Sequence, residues 1–282
     1  MRGKVFHLLT GRRPDTSQIL QAVGDLLMPR ECIVCGRPLL KDERHLCIWC
    51  RSDLPQTFFH LQGRNAMADK FNLLVQRHIE SGIGAVQDHG TPPEGQEPVP
   101  RYTPYVWAVA LFFYRSKTGY RKITQSLKYH GNLSAGRFFA RMLAERLKES
   151  PYLGETDAVV PVPLHWTRRW NRGYNQAEVI ARELVRCGIG GTMVPDLLRR
   201  NRRTRTQTKL SVGQKADNVK GAFSVRRKTA ERLVAGCGPG PLNVLLVDDV
   251  FTTGATLFAC WKALKEWNPD VRVCIVTLGY VG

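Results

Sequence analysis

The stretch VLLVDDVFTTGAT at residues 244–256 limits the possible fold more than any other part of this chain. Val244, Leu245, Leu246 and Val247 have the length and branching of a strand buried on both faces, as in a parallel sheet. Asp248 and Asp249 follow at its carboxyl end, where open α/β sheets place their ligands. Thr252, Thr253, Gly254, Ala255 and Thr256 then lead into ATLFACWKALKEW, which is apolar at helical spacing and is stopped by Asn268 and Pro269. The order is strand, loop, helix. Glycine lets the backbone approach an anion, a helix start supplies unpaired N–H groups and a positive dipole end, and threonine hydroxyls add donors.

Two carboxylates beside such a phosphate cradle repel a bare phosphate, so the ligand must also bring hydroxyl groups or a divalent cation. A ribose 5-phosphate meets both needs. Its phosphate enters the loop, and its 2- and 3-hydroxyls reach Asp248 and Asp249, which can also hold Mg²⁺ through water. The loop is neither a Walker A motif nor GxGxxG. It resembles the 5-phosphoribosyl 1-pyrophosphate (PRPP) signature of type I phosphoribosyltransferases in its apolar run, its two acids and its Thr-Thr-Gly-x-Thr loop. An ordinary strand–turn–helix with solvated aspartates is the alternative.

Near the N-terminus, Cys32 and Cys35 form one C-x2-C knuckle, and Cys47 and Cys50 form another after eleven intervening residues. This spacing brings four thiolates around one tetrahedral Zn²⁺, with Gly36 relieving the first turn. Disulfide pairing and a rubredoxin-like iron site are the rival readings, and His45 between the knuckles is an alternative ligand. Four protein ligands leave no open position, so the metal is structural. The four other cysteines, Cys187, Cys237, Cys260 and Cys274, are scattered and read as small hydrophobes.

With 42 Lys and Arg against 24 Asp and Glu, the net charge is +18, which favours polyanionic partners. Much of it lies in residues 199–232, where twelve basic residues face only Asp217 and Glu231. That segment reads as a mobile flap, with Arg205 and Lys209 as candidates to reach a leaving group. A second basic loop, HWTRRWNRGYNQ at 165–176, follows the apolar strand at 158–162 and precedes a helix at 177–187. Arg168, Arg169, Arg172 and Gly173 make it a pyrophosphate-loop candidate, because guanidinium forks match phosphate oxygens. A solvated loop or a nucleic-acid contact is the alternative. The apolar segment at the N-terminus is too short for a signal region or membrane span, so a cytoplasmic location is expected.

The division expected is an amphipathic helix within residues 1–27, a double zinc-ribbon-like finger over 28–56, an unassigned linker over 57–101, and the main α/β domain over 102–282. Within 57–101, FNLLVQRHI at 71–79 suggests one amphipathic segment, and 81–100 is rich in Gly, Pro and Gln. Strands are expected at 106–114 and 271–278, and helices at 118–127 and 134–149.

Taken together, the cysteine finger, LKYHG at 127–131, VPVP at 160–163 with RGYNQ at 172–176, TQ at 206–207, the GAF piece at 221–223 and the PRPP motif resemble the ComF family. The resemblance implies a type I phosphoribosyltransferase fold, a parallel sheet flanked by helices, with PRPP and Mg²⁺ as ligands. It also implies a part in handling single-stranded DNA during uptake, with a DNA-uptake helicase as a possible partner. Two functions follow from different classes. One is pentosyl transfer with pyrophosphate as leaving group. The other is a non-catalytic module that retains a PRPP pocket and binds single-stranded DNA or a helicase.

Overall fold

The computed structural model describes residues 30–86, 104–114, 118–129, 131–165, 170, 173–201 and 221–282. The chain forms two compact units, Met1–Asp53 and Leu54–Gly282. The helix expected within residues 1–27 lies outside the described residues.

In the first unit, isolated antiparallel bridges join Glu31 to Pro38 and Arg44 to Leu46. A short helix, α1 (Ile48–Ser52), follows. Among its described residues the buried side chains are chiefly Cys32, Val34, Leu46 and Cys47.

The second unit begins with a 3₁₀ turn, Phe59–Leu61, and helix α2 (Ala66–Val86). Then come β1 (Ala108–Phe113), α3 (Arg121–Tyr129), α4 (Leu133–Lys148), β2 (Ala158–Pro161), α5 (Gln176–Arg186), β3 (Thr192–Met193), β4 (Leu198–Arg200), β5 (Phe223–Val225), α6 (Arg227–Gly236), β6 (Asn243–Phe251), α7 (Ala255–Trp267) and β7 (Arg272–Tyr280). Five strands form one sheet in the order β1-β7-β6-β2-β3, and every pair in it is parallel. The parallel α/β architecture expected from the apolar runs is present. β6 occupies the centre because its run is bonded on both edges, to β2 and to β7. Val244 to Val247 are almost wholly buried, as a strand covered on both faces requires.

The strand also runs further than its apolar core. It continues through Asp248 and Asp249 to Phe251, because β7 pairs with it that far: Asp248 lies opposite Thr277, and Phe251 opposite Tyr280. From β2 the chain continues outward to β3, whereas from β6 it continues the other way, to β7 beside β1. The sheet therefore reverses its order between β2 and β6, the position where open α/β sheets bind ligands beyond the strand ends.

Part of the stretch left as linker belongs to this core. The Thr57 hydroxyl donates to the Ala110 carbonyl, Phe113 N–H donates to Pro55 O at 2.8 Å, and Gln56 bridges Phe112. These bonds cover the open edge of β1, which would otherwise present unpaired backbone groups. Asn65 caps α2, its Oδ1 accepting from the amides of Met67 and Ala68, while its Nδ2 donates to Ala108 O at 3.0 Å. Asn72 accepts from Val106 N and donates to Val106 O. On the same helix, Phe71 meets the rings of Phe251, Phe258 and Trp261.

The basic segment needs a correction as well. Residues 199–232 are not one mobile flap, because both ends are ordered. β4 pairs antiparallel with β5, α6 follows, and Leu198, Ala222, Phe223 and Ala230 are buried. The Arg200 guanidinium lies 5.2 Å above the Phe223 ring, so one of the charges packs on an apolar surface. Only residues 202–220, with Arg205 and Lys209, lie outside the described residues.

Asn65→Ala removes a helix cap and a bond to β1 together. Its expected cost is about 1–3 kcal/mol of unfolding free energy, measured by urea denaturation. An unchanged midpoint would mean that residues 57–81 are not integral to the fold.

Candidate functional site

Two loops meet the switch point of the sheet, one after β2 and one after β6. At the end of β6, Asp249 is buried and its neighbour Asp248 partly so. The Asp249 amide donates to Asp248 Oδ1 at 2.8 Å, which ties the pair together. Lys128 at the end of α3 places Nζ 2.8 Å from Asp249 Oδ2. Burial, and then the charge of Asp249, push the Asp248 carboxyl up to about 7; the Asp249 amide, Lys128 and Arg200 act in the opposite direction. Cys260 of α7 is fully buried and senses the charge of Asp248, so this helix packs behind the acids.

Beyond the strand, Thr252 and Thr253 are exposed, and Gly254 turns the chain into α7 with a φ of 77°. A Cβ at Gly254 would stand 2.7 Å from Phe251 Cζ, so both the left-handed backbone and the space require glycine. Ala255 and Thr256 open the 13-residue helix, whose first amides have no carbonyl partner within the helix. The loop residues read from the sequence, Thr252 to Thr256, therefore form a polar turn beside the acid pair and at a helix start.

After β2, Val162 N–H still donates to Val247 O at 2.8 Å, which keeps the two strands joined at their ends. Gly173 is exposed with a φ of 76°. Asn175 donates to Val162 O at 3.0 Å and caps α5 by accepting from Ala177 N. The Tyr174 hydroxyl and Gln176 Nε2 both donate to Leu127 O. Arg168, Arg169 and Arg172 lie outside the described residues, whereas Trp170 between them is 86% exposed.

Sequence reasoning placed the two acids, the threonine loop and the β2 loop near strand ends, but it missed Lys128 and Arg200. Lys128 stood in the LKYHG piece, and Arg200 was one basic residue of a long run. Neither position carried a signal that its charge acts on an acid contributed by β6.

In the finger, the ligand atoms of Cys32, Cys35, Cys47 and Cys50 all lie within 4.8 Å of one another. Cys35 Sγ and Cys47 Sγ are 3.8 Å apart, and Cys50 N–H donates to Cys47 Sγ at 3.5 Å. Gly36 takes a left-handed φ of 75°, and its amide closes the first knuckle onto Cys32 O at 2.8 Å. His45 also takes a left-handed φ, of 62°, and contributes its backbone carbonyl, which accepts from Ile33 N at 3.0 Å. The thiols are already differentiated. Burial raises the Cys32 thiol, but amides from Cys35, Cys47 and Val34 outweigh it and bring it down to about 7, while burial and neighbouring thiols push Cys50 up. An all-sulfur, tetrahedral-sized set of this kind could hold a structural metal ion such as zinc.

No helix among the described residues is long and apolar enough to cross a membrane.

A parallel α/β sheet with acids at its switch point, accompanied by a four-cysteine cluster, defines the class of protein. No family model matches the chain. It is 33% identical over 147 residues to Competence protein F of Haemophilus influenzae, covering 51% of this chain and 61% of that one. It is 31% identical over 138 residues to the DNA utilization protein YhgH of Salmonella typhi, covering 48% and 56%. Competence protein ComFC of Bacillus subtilis is 29% identical over 120 residues, covering 43% of each. The matches thus span 43% to 61% of the length of these relatives. These matches support the resemblance to the ComF family read from the sequence.

Two outcomes follow for these sites. Replacing any one of the four clustered cysteines by serine is expected to lower bound zinc from about one equivalent per chain to below about a tenth, by elemental mass spectrometry. Full zinc content in each serine variant would place the metal elsewhere. For Asp248, the folded value of about 7 lies above its ordinary value of 3.8, so the folded chain holds an extra proton between those values. Its contribution to stability therefore falls as pH rises through that window. Asp248→Asn is expected to raise the melting temperature of the ligand-free chain by about 2–4 °C at pH 8 and by less than about half as much at pH 5. An equal effect at both pH values would contradict the buried-charge account.

Proposed function

We propose that this chain binds PRPP at the switch point of its sheet and acts in the uptake or use of DNA. The observation that carries the ligand reading is the pair Asp248–Asp249 at the end of the central strand, beside the Thr252–Thr256 turn that opens α7. Asp249 Oδ2 is buried and accepts no hydrogen bond among the described residues. Buried acceptor capacity of this kind suits the hydroxyl groups of a pentose or a divalent cation. The DNA reading is supported by the names of the relatives, competence protein and DNA utilization protein, and by the +18 charge.

In this reading the 5-phosphate meets the hydroxyls of Thr252, Thr253 and Thr256 and the amides around Gly254 and Ala255. Asp248 and Asp249 accept from the ribose hydroxyls. Arg168, Arg169, Arg172 and the Gly173 turn receive the pyrophosphate, with Arg205 and Lys209 as further cations from residues 202–220. Mg²⁺ bound with PRPP supplies charge neutralisation at the pyrophosphate. Transfer of the pentosyl group would proceed through positive charge on the sugar ring, so the protein's work is positioning and electrostatic stabilisation. The acceptor is a nucleophile that displaces pyrophosphate. A second reading, a module that binds single-stranded DNA or a helicase without turnover, is favoured by the exposure of Trp170 among arginines, a stacking surface within a basic loop.

Calorimetric titration of Mg²⁺-PRPP into the zinc-loaded chain tests the proposal. Binding is expected, with at least about a hundredfold loss in Asp248→Asn/Asp249→Asn, equivalent to about 2.7 kcal/mol. Pyrophosphate release with an added nucleophile would favour the enzyme; binding without release, together with salt-sensitive DNA binding, would favour the module. No heat from the folded wild-type chain would overturn PRPP as the ligand.

A further inference from the structure

The end of α3 joins the two loops of the candidate site. The Leu127 carbonyl accepts from the Tyr174 hydroxyl and from Gln176 Nε2, both contributed from the β2 side. The next residue, Lys128, reaches across to Asp249 on β6, with Nζ 2.8 Å from Oδ2. The two side chains are only 28% and 11% exposed, so the pair is shielded from bulk water and its attraction is weakly screened. Yet Oδ2 is engaged in no hydrogen bond of proper geometry. The ammonium balances the carboxylate as a charge without taking up its lone-pair directions, and a stronger ligand can still claim them.

We propose that Lys128 is the displaceable counter-ion of the acid pair, holding Asp249 until the hydroxyl groups or divalent cation of a ligand take its place, so that ligand entry and Lys128 release are one exchange. The inference rests on the reading that the acid pair receives a hydroxylated, cation-bearing ligand. Lys128 is then a positioning residue that acts through Asp249. Without it the ligand-free chain would hold two adjacent carboxylates with one countercharge fewer, a state that burial makes costly. Because Leu127 is bonded to Tyr174 and Gln176, release of Lys128 also bears on the loop after β2. One helix end thereby senses both halves of the site.

The test uses Mn²⁺ alone, titrated into the zinc-loaded full chain, with free Mn²⁺ followed by electron paramagnetic resonance. Removing a positive charge 2.8 Å from the carboxylate oxygen in Lys128→Met is expected to tighten Mn²⁺ binding at least about tenfold. Lys128→Arg, which keeps the charge, should stay within about twofold of the wild type. The gain should vanish in Lys128→Met/Asp249→Asn. A damaged fold weakens metal binding and cannot produce a gain, and Lys128→Gln serves as the neutral variant if the methionine variant does not fold. Unchanged or weaker Mn²⁺ affinity in a folded neutral variant, or a gain that survives Asp249→Asn, overturns the proposal. No PRPP enters this experiment, so failure of PRPP to bind the wild type would remove the ligand reading while leaving the exchange at Asp249 to be decided separately.

Discussion

The second unit is arranged around the cost of holding two neighbouring carboxylates at the end of a strand bonded on both edges. β6 cannot tilt its acids into solvent, because β7 holds it in register past Asp248 as far as Phe251. Desolvation and mutual repulsion therefore have to be offset from outside the sheet. Lys128 comes from the end of α3, and Arg200 from the β4–β5 ribbon, where its guanidinium rests on Phe223. Both lie far from the acids in sequence. The small elements around the sheet thus supply the charge balance that its central strand lacks.

The same constraint explains which features could be read from the residues. The apolar run of β6, its acids and its threonine loop are contiguous, so their chemistry is local and needs no tertiary information. The two cysteine knuckles are legible for the same reason: four soft donors at metal spacing have few other uses. Lys128 and Arg200 act on the acids from distant segments of the chain, for which a single sequence carries no periodic signal. The edge cover was hidden in another way. Thr57 and Asn65 fasten residues 57–81 to β1, and Asn72 to Val106 just before it, by side-chain bonds to backbone groups, and such bonds leave no apolar pattern. In residues 199–232 the density of charge concealed the few apolar side chains, Phe223 above all, that give its ends their order.

The distribution of charge completes the picture. Residues 30–53, the finger itself, carry five Lys or Arg against four Asp or Glu, so this stretch is close to neutral before its thiolates are counted. Four thiolates around a divalent ion would leave it net negative. The excess that makes the chain basic lies instead in residues 199–232, a segment that begins in β4 and ends in α6, and whose Arg200 acts on Asp248. The attraction for polyanions therefore belongs to the unit that carries the acid pair. An anionic ligand approaching two carboxylates meets repulsion at short range, while the excess of basic residues in the same unit favours its approach from further away. Selectivity then falls to the acids themselves. Under the proposed ligand reading, the anion that suits these acids is one that also presents hydroxyl groups or a bound cation to Asp248 and Asp249.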